Sequence, residues 1–406
     1  MQFFKDWSVS TFTAGFVAVL VGFTSSIAIV FQAALSFGAT PDMLASWLWA
    51  IGIGMGLTTA LPSLWLRQPV MVAWSTPGAA VLASAGLAGG FTMGDAVGAF
   101  MMSAALIVLI GVTGWFEKLM NRIPPALASA LLAGALARFG LSGFSAAQTA
   151  LPLVLLMLMT YLLGKRFVPR YAVPLTLLFS VLFVAAQGGF TNATIPLGLT
   201  VPVFVMPVFS FSALVSLALP LFIVTMASQN LPGLAAIRAT GFGDERQRGG
   251  DAGIPVSKII TLTGLATLVL APFGAFSLNL SAITAAMCMG PEAHPDKARR
   301  YTAAVSCGVL YVILGLFGVT IMAVLTAFPK ELVAAIAGLA LMGTIGAALA
   351  TALHKEADRE AAMVTFLITL SGVVIGGVGS AFWGVVAGVL AMAVQHYHPQ
   401  KRKAPL

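Results

Sequence analysis

The chain is a succession of apolar stretches, each close to the length of a membrane crossing, separated by short breaks that hold nearly all of its charges. A helix needs about 20 apolar residues to cross a bilayer. Candidate spans are 11–36, 44–64, 70–88, 94–114, 123–140, 148–164 and 171–188, then 211–237, 256–271, 272–289, 300–322, 329–350, 359–376 and 379–397. The expectation is an all-α polytopic membrane protein of about fourteen spans. Composition matters here because 8% charged residues, against roughly 25% in ordinary globular proteins, could not cover a soluble surface of this size. A lipid-facing surface needs none. The first apolar run is long enough to span, and no small-residue cleavage motif follows it, so no cleavable signal is expected.

The formal charge of +8 raises the question of nucleic acid, and the placement of the charges excludes it. No basic stripe runs with interleaved aromatics. With the N-terminus in the cytoplasm, all of the 21 basic residues except Arg138 and Lys330 fall on the cytoplasmic side. Positive residues are retained on that side during insertion, and a miscounted span in the middle would scramble the sorting. Fourteen spans with both termini cytoplasmic follow. Cys288 and Cys307 lie in apolar stretches without metal-ligand spacing and read as small packing residues.

Seven spans per half is an odd number, so the second half enters the membrane in the opposite sense, the inverted-repeat plan of many secondary transporters. The halves are 1–204 and 205–406. A faint echo supports them: Pro125 and Pro329 each open a span, and Ala133-Gly134 and Ala337-Gly338 follow at equal distance. That offset of 204 also sets Ser75 against Asn279, mid-way along the third and tenth spans. Thr76-Pro77 has the form of a helix start, with Thr76 as N-cap and Pro77 at the first helical position. Asn279 is likewise a favoured N-cap. Helix starts at that depth imply broken spans, an extended piece followed by a half-helix, which survive only where protein or a water-filled cavity surrounds the backbone. Two ordinary kinked helices are the alternative.

Three motifs carry a family likeness. The run M-A-S-Q-N-L-P-G-L from Met226 to Leu234, N-L-S-A-I-T-A-A from Asn279 to Ala286, and E-A-H-P-D-K-A-R-R-Y from Glu292 to Tyr301 resemble the benzoate/proton symporter family (BenE). That family is distantly similar to nucleobase and sulfate carriers with seven-plus-seven inverted repeats. The resemblance implies a core domain of spans one to four and eight to eleven, and a gate domain of the remainder. It implies a short strand before a half-helix in spans three and ten. It also implies the substrate, benzoate or a similar aromatic carboxylate, imported with a proton.

All 13 Asp and Glu residues fall in loops or at span ends. A mid-membrane carboxylate serves neutral or cationic substrates and would repel an anion. Two opposed half-helix N-termini, each with roughly half a positive charge, would attract a carboxylate without Lys or Arg. Ser75, Thr76, Asn279 and Ser281 would add polar contacts. Span eight offers Ser228, Gln229 and Asn230; span one offers Ser25 and Ser26, beside Thr24 and the more peripheral Gln32. Interhelical hydrogen bonding is the competing role for these groups. Phe and Met side chains could wall an aromatic ring, although core or lipid contact is their usual role. Arg138, placed at the outer end of span five, would snorkel to the headgroups or draw anions to the entrance. The Glu292, His294, Asp296 cluster fits a solvated turn rather than a metal site. No mid-membrane group titrates, so the proton would ride on the substrate carboxyl or use an end-of-span acid such as Asp95 or Glu331.

The expected partners are therefore a small anionic substrate, protons and the lipid bilayer, with no cofactor and no nucleic acid. A homodimer is compatible with this reading. The expected location is a bacterial-type cytoplasmic (inner) membrane. A channel or facilitator is the first rival, and a nucleobase or inorganic-anion carrier the second. A membrane enzyme would need motifs such as H-E-x-x-H or G-x-S-x-G, which do not occur.

Overall fold

The computed structural model describes residues 2–116, 124–168, 171–188, 197–243, 253–281, 283–291, 293–373, 375 and 380–395. Glu117, Asp244, Glu245, Asp251, Glu292, His396 and His398 lie outside them, as do the side chains of Thr24 and Ser25. The first half holds α1 (Gln2–Asp6), α2 (Val9–Ser36), α3 (Pro41–Leu66), β1 (Val72–Trp74), α4 (Thr76–Ala88), α5 (Met93–Thr113), α6 (Pro125–Ser145), α7 (Ala147–Phe167) and α8 (Ala172–Ala186). After an extended segment come α9 (211–239), α10 (Val256–Leu270), β2 (Leu278–Leu280), α11 (Ile283–Met289), α12 (Tyr301–Leu316), α13 (Gly318–Thr326), α14 (Lys330–Ala352), α15 (Arg359–Ser371) and α16 (Ser380–Gln395).

Every predicted span falls on a helix, and the third and tenth fall on a strand followed by a helix. Among the described residues, by length and apolar composition alone, seven helices can cross a membrane, or eight when the two arms of α2, bent by 42°, are taken as one. The expected span 300–322 is broken: α12 ends at Leu316, and α13 restarts at Gly318. Span five is longer than expected, since α6 runs to Ser145.

Loop contacts sort into two faces. On one, the Tyr301 hydroxyl donates to Asp6 Oδ2 at 2.9 Å, and the Lys297 ammonium meets the Gly241 carbonyl. On the other, the extended segment runs as a strap: Thr200 N–H donates to Leu316 O, Val205 N–H to Pro272 O and Val208 N–H to Gly94 O, at 2.8–2.9 Å. Thr149 and Glu331 meet on this second face at 3.4 Å. Among these contacts, loops separated by an even number of predicted spans share a face, as the charge sorting requires.

The helices form two bundles. In one, α3 packs on α12, α5 on α10, and α2 on α12 and α4; in the other, α6 packs on α14 and α15, α7 on α8, and α15 on α16. The α3–α12 contact is close because both helices are stripped to glycine there. A methyl group built on Gly52 would fall 2.6 Å from the Gly315 Cα. Small residues let membrane helices approach to this range, where dispersion and not hydrophobic expulsion holds them. Most pairings recur under exchange of the halves: α3–α12 answers α5–α10, and α7–α8 answers α15–α16.

α9 shows how sequence bends a helix without ending it. Pro220 and Pro232 lack the N–H that would bond to Ser216 O and Ser228 O, and their rings crowd those carbonyls. The helix widens into π-turns at Leu214–Ala218 and Met226–Asn230, which contain those two serines. The second π-turn spans five residues of the M-A-S-Q-N-L-P-G-L motif.

Candidate functional site

β1 and β2 cross antiparallel between the halves, pairing Val72 with Leu280, Ala73 with Asn279 and Trp74 with Leu278. The pairing continues symmetrically beyond the strands: Ser75 N–H donates to Ser277 O at 3.1 Å, and Ser281 N–H to Met71 O at 3.0 Å. The local two-fold therefore passes through the Ala73–Asn279 pair and relates residues 206 apart, so Ser75 corresponds to Ser281. The expected match of Ser75 with Asn279 is two residues out of register, because helical echoes do not report loop-length differences around the strands.

Two three-residue strands in a membrane interior leave backbone groups that only side chains can satisfy. Thr59 Oγ1 accepts from Val72 N–H and Thr267 Oγ1 from Leu278 N–H, both at 3.1 Å, from the equivalent helices α3 and α10. Ser63 Oγ accepts from Val70 N–H at 3.0 Å. Asn230 Oδ1 accepts from Leu280 N–H at 2.9 Å, and its amide nitrogen reaches Met226 Sδ at 3.1 Å. Ser26 Oγ accepts from the Trp74 indole at 3.0 Å. Asn230 and Ser26 thus hold the ribbon from α9 and α2.

The helix start after β1 differs from expectation. Ser75, with extended backbone, is the N-cap; its Oγ accepts from Gly78 N–H at 3.0 Å and receives the Thr225 hydroxyl at 3.0 Å. Thr76 is already helical. Pro77 has no N–H, and Ala79 N–H bonds to Ser75 O. Among the described residues this leaves the Thr76 N–H and hydroxyl as the uncommitted donors at the start of α4. Asn279 is not an N-cap either. It sits mid-strand and fully buried, its Nδ2 donating to Ser277 O at 2.9 Å, while its Oδ1 has no partner. Ser277, on the same strand face, has φ +38° and a buried Oγ without a partner. Ser281 Oγ accepts from the Thr284 hydroxyl at 2.6 Å, two residues before α11. With seven residues, α11 gathers less dipole than the thirteen of α4.

The predicted site residues therefore divide. Ser26, Ser75, Asn230 and Ser281 are buried and engaged in holding the ribbon. Thr76, Ser228 and Gln229 are half-buried, and the two α9 side chains make no hydrogen bond among the described residues. Nothing is described of the Ser25 side chain. The sequence reading did not single out Phe23 and Trp74, which meet edge to face with ring centroids 5.4 Å apart beside Ala73, the half-buried residue of β1. Their signal was spacing: Phe23 lies three residues before Ser26, and Trp74 two before Thr76. Thr225, Thr59 and Thr267 also escaped it, because a threonine inside an apolar helix has no distinguishing context.

No described Asp or Glu is buried. Asp95 Oδ2 accepts from the Thr92 N–H and hydroxyl, at 2.9 and 2.6 Å, which makes it the capping acid of α5. His294 and Asp296 close a turn in which Asp296 Oδ1 accepts from Ala298 N–H at 2.9 Å. Arg300 donates to Met289 O at 2.9 Å and to His294 O at 2.8 Å, capping the C-terminal end of α11. The E-A-H-P-D-K-A-R-R-Y motif thereby anchors the second half-helix.

Crossed mid-chain strands with half-helices behind them define an inverted-repeat membrane transporter. The transmembrane domain of a cyanobacterium bicarbonate transporter, BicA, shares this fold, with TM-score 0.56 and 15% identity over 95% of this chain and 96% of that one. SLC26A9 matches with TM-score 0.56 and 12% identity over 94% of this chain and 65% of that one. The family whose sequence profile matches, over residues 5–394, is described as benzoate membrane transport protein, BenE. The chain is 46% identical over 384 residues to the inner membrane protein YdcO of Escherichia coli (strain K12), with 95% of each covered. It is 38% identical over 387 residues to the benzoate membrane transport protein of Acinetobacter baylyi (strain ATCC 33305 / BD413 / ADP1), again with 95% of each covered. The chain belongs to the BenE family of benzoate membrane transport proteins.

The division of roles has a measurable consequence. Asn230→Ala strands the Leu280 N–H in the interior, which costs about 1–3 kcal/mol, so the detergent-solubilised variant is expected to melt earlier. Thr76→Val removes a free donor without touching the ribbon. Its melting temperature should stay at the wild-type value while substrate affinity falls about tenfold or more, as expected for a hydrogen bond to a charged ligand. A reversal of the two phenotypes contradicts the assignment.

Proposed function

We propose that this protein takes up benzoate or a closely similar aromatic monocarboxylate with a proton, by alternating access. The observation that carries the reading is the start of α4: the N–H and hydroxyl of Thr76 are uncommitted donors at a helix N-terminus, next to the Phe23–Trp74 aromatic pair. Such a start carries roughly half a positive charge and binds a carboxylate without a cationic side chain. The edge-to-face rings give an aromatic substrate a surface of matching geometry. Gln229, half-buried and without a partner among the described residues, offers an amide donor from α9. The halves 1–204 and 205–406 act as the two repeats, with the bundle of α6–α8 and α14–α16 as the gate.

The relative named for the inner membrane, together with the basic face that carries Lys297, Arg299 and Arg300, supports a cytoplasmic membrane location with both termini inside. A cysteine placed at Thr92 should react with an impermeant thiol reagent from outside intact cells, and one at Lys355 should not. The native Cys288 and Cys307 are buried and give little background. The opposite pattern inverts the topology.

With no buried carboxylate among the described residues, the proton travels with the substrate carboxyl. One proton per monoanion makes transport electroneutral. In proteoliposomes, corrected for diffusion into protein-free vesicles, an inward proton gradient should drive benzoate accumulation and a potassium diffusion potential should not. Labelled nucleobases, bicarbonate and sulfate in the same assay test the rival substrates; accumulation of one of these in place of benzoate overturns the reading.

Gln229→Glu puts a negative charge beside the proposed carboxylate. At 4 Å and an effective dielectric of 20, the repulsion is about 4 kcal/mol, close to a thousandfold in affinity. Benzoate uptake at neutral pH should collapse and recover in part as the pH falls and the new carboxyl protonates. Full activity at neutral pH removes Gln229 from the site.

A further inference from the structure

Arg138 is one of two basic residues that the charge sorting leaves on the face away from the termini, and the fold buries part of it. Because α6 continues to Ser145, Arg138 lies about 10 Å inside the helix end. Its guanidinium rests on Gly372, the C-cap of α15, where φ is +69° and a methyl group would fall 2.4 Å from Nη1 and 2.9 Å from Cζ. Nη1 is buried without a hydrogen-bond partner. No carboxylate pairs with the guanidinium among the described residues. The carbonyl end of α15 offsets part of the charge, yet an unpaired cation in such surroundings is costly.

One helical turn inward from Arg138 is a cavity of about 10 Å³, lined by Ser84, Ala135, Ser216, Thr369 and Ser380 among others. It is large enough for about one water. Ser84 belongs to α4, the half-helix whose start forms the site, and Thr369 and Ser380 belong to the second bundle. Ser84 Oγ and Thr369 Oγ1 have no hydrogen-bond partner. The cavity is thus a polar seam between the two bundles, with a cation at its outer end and the Thr76 site at the inner end of α4.

We propose that Arg138, with Ser84 and Thr369, forms an outer docking subsite for an organic monocarboxylate, filled when α4 parts from α15 and α16 and emptied toward Thr76. The arriving carboxylate supplies the anion that the guanidinium lacks, and the two hydroxyls complete its hydrogen bonding. The inference rests on the anionic-substrate reading above, and wild-type uptake reports that reading separately.

The test uses benzenesulfonate, an aromatic monoanion that stays charged at every working pH. It is applied from outside as a competitor of benzoate uptake in right-side-out vesicles, and titrated calorimetrically into the purified full-length protein. Arg138→Gln should raise its inhibition constant about tenfold, the low end of what a charged cleft contributes to local anion concentration. Arg138→Lys, which keeps the charge, should raise it less than about threefold, and both variants should melt near the wild-type temperature. An unchanged inhibition constant in Arg138→Gln overturns the proposal. Equal losses in both variants, accompanied by a fall in melting temperature, also overturn it and make Arg138 a packing residue against Gly372. If wild-type vesicles take up no benzoate, the substrate reading fails, and the calorimetric comparison still decides whether Arg138 binds an aromatic anion.

Discussion

Breaking a helix inside a bilayer exposes peptide groups that lipid cannot satisfy, and the crossing of β1 with β2 is how this chain solves that problem. Each strand is three residues long, too short to be stable alone. Their ladder is closed at both ends by the Ser75–Ser277 and Ser281–Met71 backbone bonds. Their outward-facing N–H groups are met by Thr59, Thr267 and Asn230 from surrounding helices, and Ser63 meets the Val70 N–H just before β1. The start of α4 depends on this arrangement. It sets the α4 N-terminus in the interior of the protein, it allows Pro77 to stand where no N–H is needed, and it leaves Thr76 with donors to offer.

The strands also explain why so many polar side chains gather in an apolar chain without any of them being charged. A buried hydrogen-bonded hydroxyl or amide is tolerable where an isolated ion is not. Serine, threonine and asparagine complete the backbone pairing at low cost and leave the local field positive, set by the helix dipole. An intramembrane Asp or Glu would oppose that field and repel a carboxylate. The second proline-induced π-turn of α9 belongs to the same arrangement: Ser228 and Gln229 in it are half-buried, while Asn230, the next residue, stays engaged with Leu280.

Much of this is legible in the amino-acid sequence. The apolar stretches and the sorting of basic residues predicted where helices form and which loops share a face, and the contacts among loops agree. Ser75, Thr76, Asn230, Asn279 and Ser281 stood out because polar residues beside proline or in clusters are rare in such stretches. Their division of labour was not legible. Whether Asn230 faces a substrate or a strand N–H depends on a residue fifty positions away. Whether Thr76 or Ser75 caps α4 depends on the backbone angle that the strand pairing imposes.

Sequence by itself determined the solvent, the apolar stretches that become helices, and the breaks in the third and tenth of them, because hydropathy, proline and charge act locally and along the chain. Only the tertiary structure decided the register of the two halves, the pairing of Ala73 with Asn279, the aromatic contact of Phe23 with Trp74 and the burial of Arg138 against Gly372. Those are contacts between segments far apart in the chain, set by how closely glycine-lined helices approach and by which side chain reaches an unsatisfied peptide group first. No periodicity in either segment alone encodes the meeting point.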